Sequence, residues 1–145
     1  MDEAPGVFLF TTISAAAYHF FKWKRIQQLS KEMVEYDGNC HCGTVQFKVK
    51  APKHLVVWDC NCSICYMKKN WHFIVPGSCF ENFPGEDALT EYRFNTKTAK
   101  HMFCKHCGVQ AYYVPRSNPD GIAVTLACIK PEQVRSLENP MLFCF

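Results

Sequence analysis

The chemistry in this chain is concentrated in its sulfur. Ten of the 145 residues are cysteine, and seven of them lie in three short groups: Cys40-His41-Cys42, Cys60-Asn61-Cys62-Ser63-Ile64-Cys65 and Cys104-Lys105-His106-Cys107. C-x-C and C-x-x-C spacings present neighbouring thiolates to a single ion. A disulfide instead needs two alpha carbons about 4.4–6.8 Å apart and gains nothing from clustering. Disulfide frameworks also belong to secreted chains. Here Asp2 and Glu3 stand where a secretory signal carries basic residues. The sulfurs are therefore read as zinc ligands in an intracellular protein, cytoplasmic or nuclear.

Two of the groups make a pair. Cys40/Cys42 and Cys104/Cys107 are each followed by glycine, Gly43 and Gly108. Glycine supplies a positive-φ turn that aims backbone amides at sulfur. Four thiolates from distant parts of the chain give a closed tetrahedral, structural zinc site. Such a site contributes on the order of 10 kcal/mol to folding.

The third group, Cys60, Cys62 and Cys65, offers three thiolates and no local fourth. Three protein ligands with an open position is the arrangement of catalytic zinc. An inert second staple, completed by His72, His101, His106 or Cys79, stays open at this level, as does a redox role for Cys62 and Cys65. A tri-thiolate zinc carries net negative charge, so it is a mild Lewis acid that suits a soft fourth ligand. A thiol bound there ionises and becomes a nucleophile at neutral pH. The expected chemistry is addition of a thiol to a small carbonyl, or cleavage of the carbon–sulfur bond in reverse.

The elements that must position these sulfurs are mostly strands. The chain suits one domain, with 48% hydrophobic and 20% charged residues. Val45, Phe47 and Val49 alternate with Gln46, Lys48 and Lys50, a half-buried strand ending at Pro52. Further β-rich runs are Leu55–Asp59, Trp71–Val75, Thr90–Asn95, Val109–Val114 and Ile122–Ile129. Turn chemistry at Pro76-Gly77, Pro84-Gly85 and Ser117–Gly121 separates them. A mainly β domain of small antiparallel sheets follows, with a short helix starting at Pro131. From Ser14 to about Tyr36 the apolar spacing is helical, and Asp37-Gly38-Asn39 reads as the turn that closes it. The expected organisation is a helical, apolar extension over 1–35, a zinc domain over 36–137 and an unassigned tail over 138–145.

Outside the groups the signals are weaker. Trp58, Trp71, Tyr112 and Tyr113 are expected to fill core, and the isolated Cys79, Cys128 and Cys144 to be structural. Lys68, Lys69, Lys97, Lys100 and Arg116 are candidates to meet substrate carboxylates, or simply solvated charges. A net charge of +3 does not argue for nucleic acid. The run Ala4–Phe21 is interrupted by Pro5, Gly6 and polar residues. A membrane anchor is therefore not favoured there.

Three segments together resemble the glutathione-dependent formaldehyde-activating family: Asp37-Gly38-Asn39-Cys40-His41-Cys42-Gly43-Thr44-Val45-Gln46-Phe47, the Cys60–Cys65 group, and Phe103-Cys104-Lys105-His106-Cys107-Gly108-Val109-Gln110. The connecting stretches Trp58-Asp59-Cys60, Trp71–Pro76 and Pro115–Pro119 resemble its animal, centromere protein V-like branch. The resemblance implies a β-tent fold with two zinc ions. By position, Cys40, Cys42, Cys104 and Cys107 would hold the structural ion, and Cys60, Cys62 and Cys65 the catalytic one. It implies a carbon–sulfur lyase that condenses glutathione, as co-substrate, with formaldehyde to S-(hydroxymethyl)glutathione. For the animal branch it implies instead a zinc-stabilised binding module with a protein or cytoskeletal partner, associated with chromatin or microtubules. Family members usually continue past the last strand to a segment ending near a tryptophan. The different residues before Phe145 lead to the expectation of an uncovered sheet edge and an incomplete substrate pocket.

Overall fold

In the computed structural model, the described residues are 32–83, 85–135 and 141–144. The chain builds two sheets. Strands β1 (Met33–Asn39), β2 (Gln46–Pro52) and β5 (Phe80–Asn82) form a three-stranded antiparallel sheet in the order β1-β2-β5. The larger sheet has seven strands: β3 (Val56–Asp59), β4 (Trp71–Pro76), β6 (Leu89–Tyr92), β7 (Lys100–Cys104), β8 (Tyr112–Val114), β9 (Gly121–Thr125) and β10 (Met141–Cys144). Their order is β10-β3-β4-β9-β8-β7-β6. All pairings are antiparallel except β10 with β3, which run parallel. Among the described residues, two short α-helices lie between strands, α1 (Ser63–Lys68) and α2 (Pro131–Arg135). Mainly β architecture with antiparallel sheets is thus as expected.

The core lies where the sheets meet. Strand β2 buries Phe47, Val49 and Ala51 and turns Gln46, Lys48 and Lys50 outward, the alternation a one-sided strand requires. The Phe47 ring stacks on Phe80 at 5.4 Å and meets Tyr112 of the larger sheet edge-on at 5.9 Å. Phe73, Val75 and Val124 close the cluster from β4 and β9.

Four features depart from the sequence expectations. Met33–Tyr36, expected as the end of a helix, belongs to β1, whose residues pair with β2 from Met33↔Pro52 to Asn39↔Gln46. The expected turn at Asp37-Gly38-Asn39 is the end of that same strand. Gly38 is there for space: a Cβ at this position would lie 2.1 Å from Cζ of Phe47. Glycine inside a strand marks such a close approach. Strand β7, absent from the expected runs, carries Cys104. Finally, Met141–Cys144 lies in the expected unassigned tail but forms β10, which covers the edge of β3. These last residues lead to the expectation of an uncovered sheet edge; β10 instead pairs with β3 and itself ends the sheet. The expected helix over residues 1–31 lies outside the described residues. Among the described residues, no helix is long and apolar enough to cross a membrane.

Candidate metal centre

Four sulfurs converge where the two sheets are joined. Cys40 and Cys42 occupy the β1–β2 connection, Cys104 ends β7, and Cys107 lies in the turn toward β8. The two knuckles have the same local geometry. The Cys40 amide donates to Val45 O at 2.9 Å and the Cys104 amide to Val109 O at 3.0 Å. The Gly43 amide donates back to Cys40 O and the Gly108 amide to Cys104 O, both at 2.9 Å. Gly43 and Gly108 take φ of 77° and 71°, the left-handed conformation expected of them. The Val45 amide also points at Cys40 Sγ, 3.3 Å away.

The sulfurs fit a tetrahedral ion. Cys40 Sγ and Cys42 Sγ are 3.5 Å apart, and Cys42 Sγ and Cys104 Sγ 3.6 Å, with all four ligand atoms within 4.8 Å of one another. Zinc–sulfur bonds of about 2.3 Å in a tetrahedron require sulfurs roughly 3.8 Å apart. Burial pushes the Cys40 thiol up to about 11. The hydroxyl and amide of Thr44, with Oγ1 3.2 Å from the sulfur, hold exposed Cys42 down at about 6. A cation would settle that imbalance by favouring all four thiolates.

The second group forms beside helix α1. Cys60 follows β3, Cys62 is the N-cap of α1, and Cys65 lies in its first turn. The Tyr66 amide donates to Cys62 O at 2.9 Å and the Asn70 amide to Cys65 O at 3.0 Å. Lys69 ends the helix in the left-handed conformation, with φ of 52°. The ligand sulfurs of Cys60, Cys62 and Cys65 lie within 4.8 Å of one another, and no fourth such residue joins them among the described residues. Their burial is graded: Cys65 is buried, Cys60 half-buried and Cys62 exposed. Burial raises Cys65 to about 12 and also raises Cys60. Cys62 is also partly desolvated, but the amides of Cys65 and Ile64 and the adjoining sulfurs outweigh that and lower it.

The candidates for a fourth ligand are placed elsewhere. His72 turns Nδ1 to Asn70 O at 3.3 Å and Nε2 to the Tyr113 hydroxyl at 3.0 Å, so both ring nitrogens are engaged. His101 is stacked between Phe94 and Tyr113. Cys79 packs against the core, and neither it nor His106 joins either sulfur group. Cys128 is buried with its thiol 3.9 Å from Gln110 O, and burial raises it to about 12. Cys60, Cys62, Cys65 and six other described cysteines are free thiols.

Beside Cys60 lies a cleft of about 520 Å³, lined also by Asp59, Asn61, Tyr66, Lys69 and Trp71. Tyr66 and Trp71, 63% and 43% exposed, form part of its wall. The Lys69 ammonium lies 4.2 Å from the Tyr66 ring centroid. On the other side of α1, Lys68 reaches over Phe103 at 4.2 Å and donates to Gln110 Oε1. Burial lowers Lys68 to about 8, against the opposing pull of Cys65 and Cys62. Of the aromatics expected in the core, Tyr112 and Tyr113 are buried, and Trp71 is not.

The described residues thus form a mainly antiparallel β-fold with a four-sulfur and a three-sulfur group, each of which could hold a metal ion. Residues 35–143 match the pattern of the glutathione-dependent formaldehyde-activating enzyme family, and the chain belongs to that family. Its fold is also similar to that of a Rhodobacter sphaeroides protein solved by crystallography. The two share 31% sequence identity over 70% of this chain and 96% of the other, with a TM-score of 0.58.

Proposed function

We propose that the chain is a carbon–sulfur lyase-type enzyme that holds two zinc ions and joins glutathione, or a closely similar thiol, to formaldehyde or another small carbonyl. One observation carries this reading: three cysteines converge without a fourth ligand residue among the described residues, and while Cys62 is exposed, Cys60 lines an open cleft. In this reading Cys40, Cys42, Cys104 and Cys107 are the structural set, and Cys60, Cys62 and Cys65 the catalytic set. When bound to the three thiolates, zinc would supply a soft Lewis-acidic position at which a substrate thiol ionises.

The chain's own residues do the rest. The Lys69 ammonium meets a carboxylate of the thiol's carrier, Asp59 meets its ammonium group, and Asn61 hydrogen-bonds its amides. Trp71 and Tyr66 wall the cleft and exclude water from the sulfur. The reaction forms one carbon–sulfur bond and breaks the carbonyl π bond. The thiol's proton ends on the former carbonyl oxygen, giving a hydroxymethyl thioether. Sulfurs that serve this way must stay reduced, which supports a cytoplasmic or nuclear setting.

The competing reading is a zinc-stabilised binding module of the centromere protein V type, associated with chromatin or microtubules. It draws on the lysines at 48, 50, 53, 68, 69, 97, 100 and 105. Four of these are already engaged within the fold: Lys48 with Glu35, Lys53 with Glu32, Lys68 with Gln110, and Lys105 with Asp87 O. That disfavours a basic docking face.

Exchange NMR with isotope-labelled formaldehyde and glutathione tests the proposal. Zinc-loaded protein is expected to accelerate adduct formation above the spontaneous rate, and Cys62→Ser to abolish the acceleration. A fully loaded protein that leaves the rate unchanged, yet binds tubulin or DNA in a salt-dependent way, would overturn the enzyme reading in favour of the module.

A further inference from the structure

Helix α1 and its cap put Tyr66 and Lys69 at the Cys60 cleft, but the helix also borders a second cleft that the proposed chemistry does not use. This one has a volume of about 370 Å³ and shares no lining residue with the first. Ser63, Met67 and Lys68 line it from α1, and Tyr92, Phe94 and Phe103 from β6, β7 and the loop between them. Tyr92 and Phe94 stack at 5.9 Å, and Phe94 stacks on buried His101 at 5.5 Å, which anchors that aromatic wall to the sheet.

Lys68 is the only charged residue of the lining. Its ammonium donates to Gln110 Oε1 and lies 4.2 Å from the Phe103 ring centroid, so its place is fixed from two sides. Both partners are neutral. Lys48, Lys53 and Lys130 each pair with a carboxylate, whereas no described carboxylate pairs with Lys68. Burial outweighs the pull of Cys65 and Cys62 and lowers Lys68 to about 8, so the side chain keeps its proton at pH 7. A desolvated cation held by neutral groups is short of counter-charge. An ammonium has three hydrogens, so a carboxylate can join Gln110 on it.

We propose that this cleft binds a small monocarboxylate with an aromatic body: the carboxylate pairs with the Lys68 ammonium, and the ring lies among Met67, Tyr92, Phe94 and Phe103. The thioether and the rings suit an aromatic guest, and the volume stands at the small end of ligand sites, about 300–1,000 Å³. Lys68 selects the acid over a neutral molecule of the same shape, and the apolar walls select it over a more polar acid. The inference stands on this cleft alone, and neither on turnover nor on the open zinc position.

The test is titration of the zinc-loaded full chain with 3-phenylpropanoate, and with its neutral amide as control, followed by the methyl signal of Met67 in protein with isotope-labelled methionine. The acid is expected to shift that signal saturably and the amide to bind about tenfold more weakly, the worth of a hydrogen bond to a charged group. Lys68→Met, which keeps an unbranched stem and removes the charge, should bring the acid down to the amide's affinity. Tyr92→Ala, at an exposed position of the wall, should weaken acid and amide alike. Equal affinity for acid and amide would overturn the proposal, as would acid binding that survives Lys68→Met or Tyr92→Ala, because the carboxylate would then be held elsewhere. Loss of zinc from the three-sulfur group in Lys68→Met would also overturn it, making this lysine the counter-charge of the sulfurs. Absent turnover of glutathione and formaldehyde would leave this inference standing, and failure of the acid to bind would leave the proposed chemistry untouched.

Discussion

At the scale of single residues, spacing identified the sulfurs but not their neighbours. The knuckle signature is local, a few residues of backbone and a glycine, so the sequence displays it directly. The contact between His72 and Tyr113 is not local. Tyr113 and His72 come from β8 and β4, and only strand pairing through β9 brings them together. In the sequence Tyr113 reads as core and His72 as a possible fourth ligand of the second sulfur group. His101 shows the same limit: a possible fourth ligand in the sequence, it is instead buried in a stack between Phe94 and Tyr113. Burial, and then the charge of Lys68, lower its pKa below the ordinary value of 6.5. The unfolded chain therefore binds more protons than the folded one below about pH 6.5, so this histidine's contribution to stability is lost as pH falls through that window. His101→Phe keeps the stack and removes the titration. Melting temperatures at pH 8 and pH 5.5 should fall less in that variant than in the native protein. Sulfur titration is common to both, so an identical fall would contradict the account.

At the scale of elements, side-chain alternation was easy to read and glycine was not. Strand β2 announces itself through Phe47, Val49 and Ala51. Gly38 lies next to aspartate and asparagine, the composition of a turn, and only the ring of Phe47 reveals why glycine stands there. Strand β7 escaped notice because His101, its most buried side chain before Cys104, is a polar type, so its alternation is hidden. Gly38→Ala would push a methyl group into Phe47. Overpacking of that kind costs about 1–3 kcal/mol. Denaturant unfolding should show a loss of that size, with the paired Gly38→Ala, Phe47→Leu variant recovering part of it. No loss from Gly38→Ala alone would mean that the ring moves aside freely.

At the scale of the whole molecule, the two sulfur groups have different structural duties. The four-sulfur group ties the β1–β2 connection to the β7–β8 connection, and so one sheet to the other. The three-sulfur group hangs from the end of β3, which is paired with β4 on one side and β10 on the other. That support was not visible in the sequence, because the last residues carry no alternation or turn signal and their place is set by parallel pairing with a strand some 85 positions earlier. The central claim is that division: one closed set of sulfurs for structure, one open set for chemistry. Native mass spectrometry of the protein and its Cys62→Ser variant tests it most directly. The account predicts two zinc ions in the native protein and one in the folded variant. A native protein with a single ion, or a variant that still holds two, would contradict it.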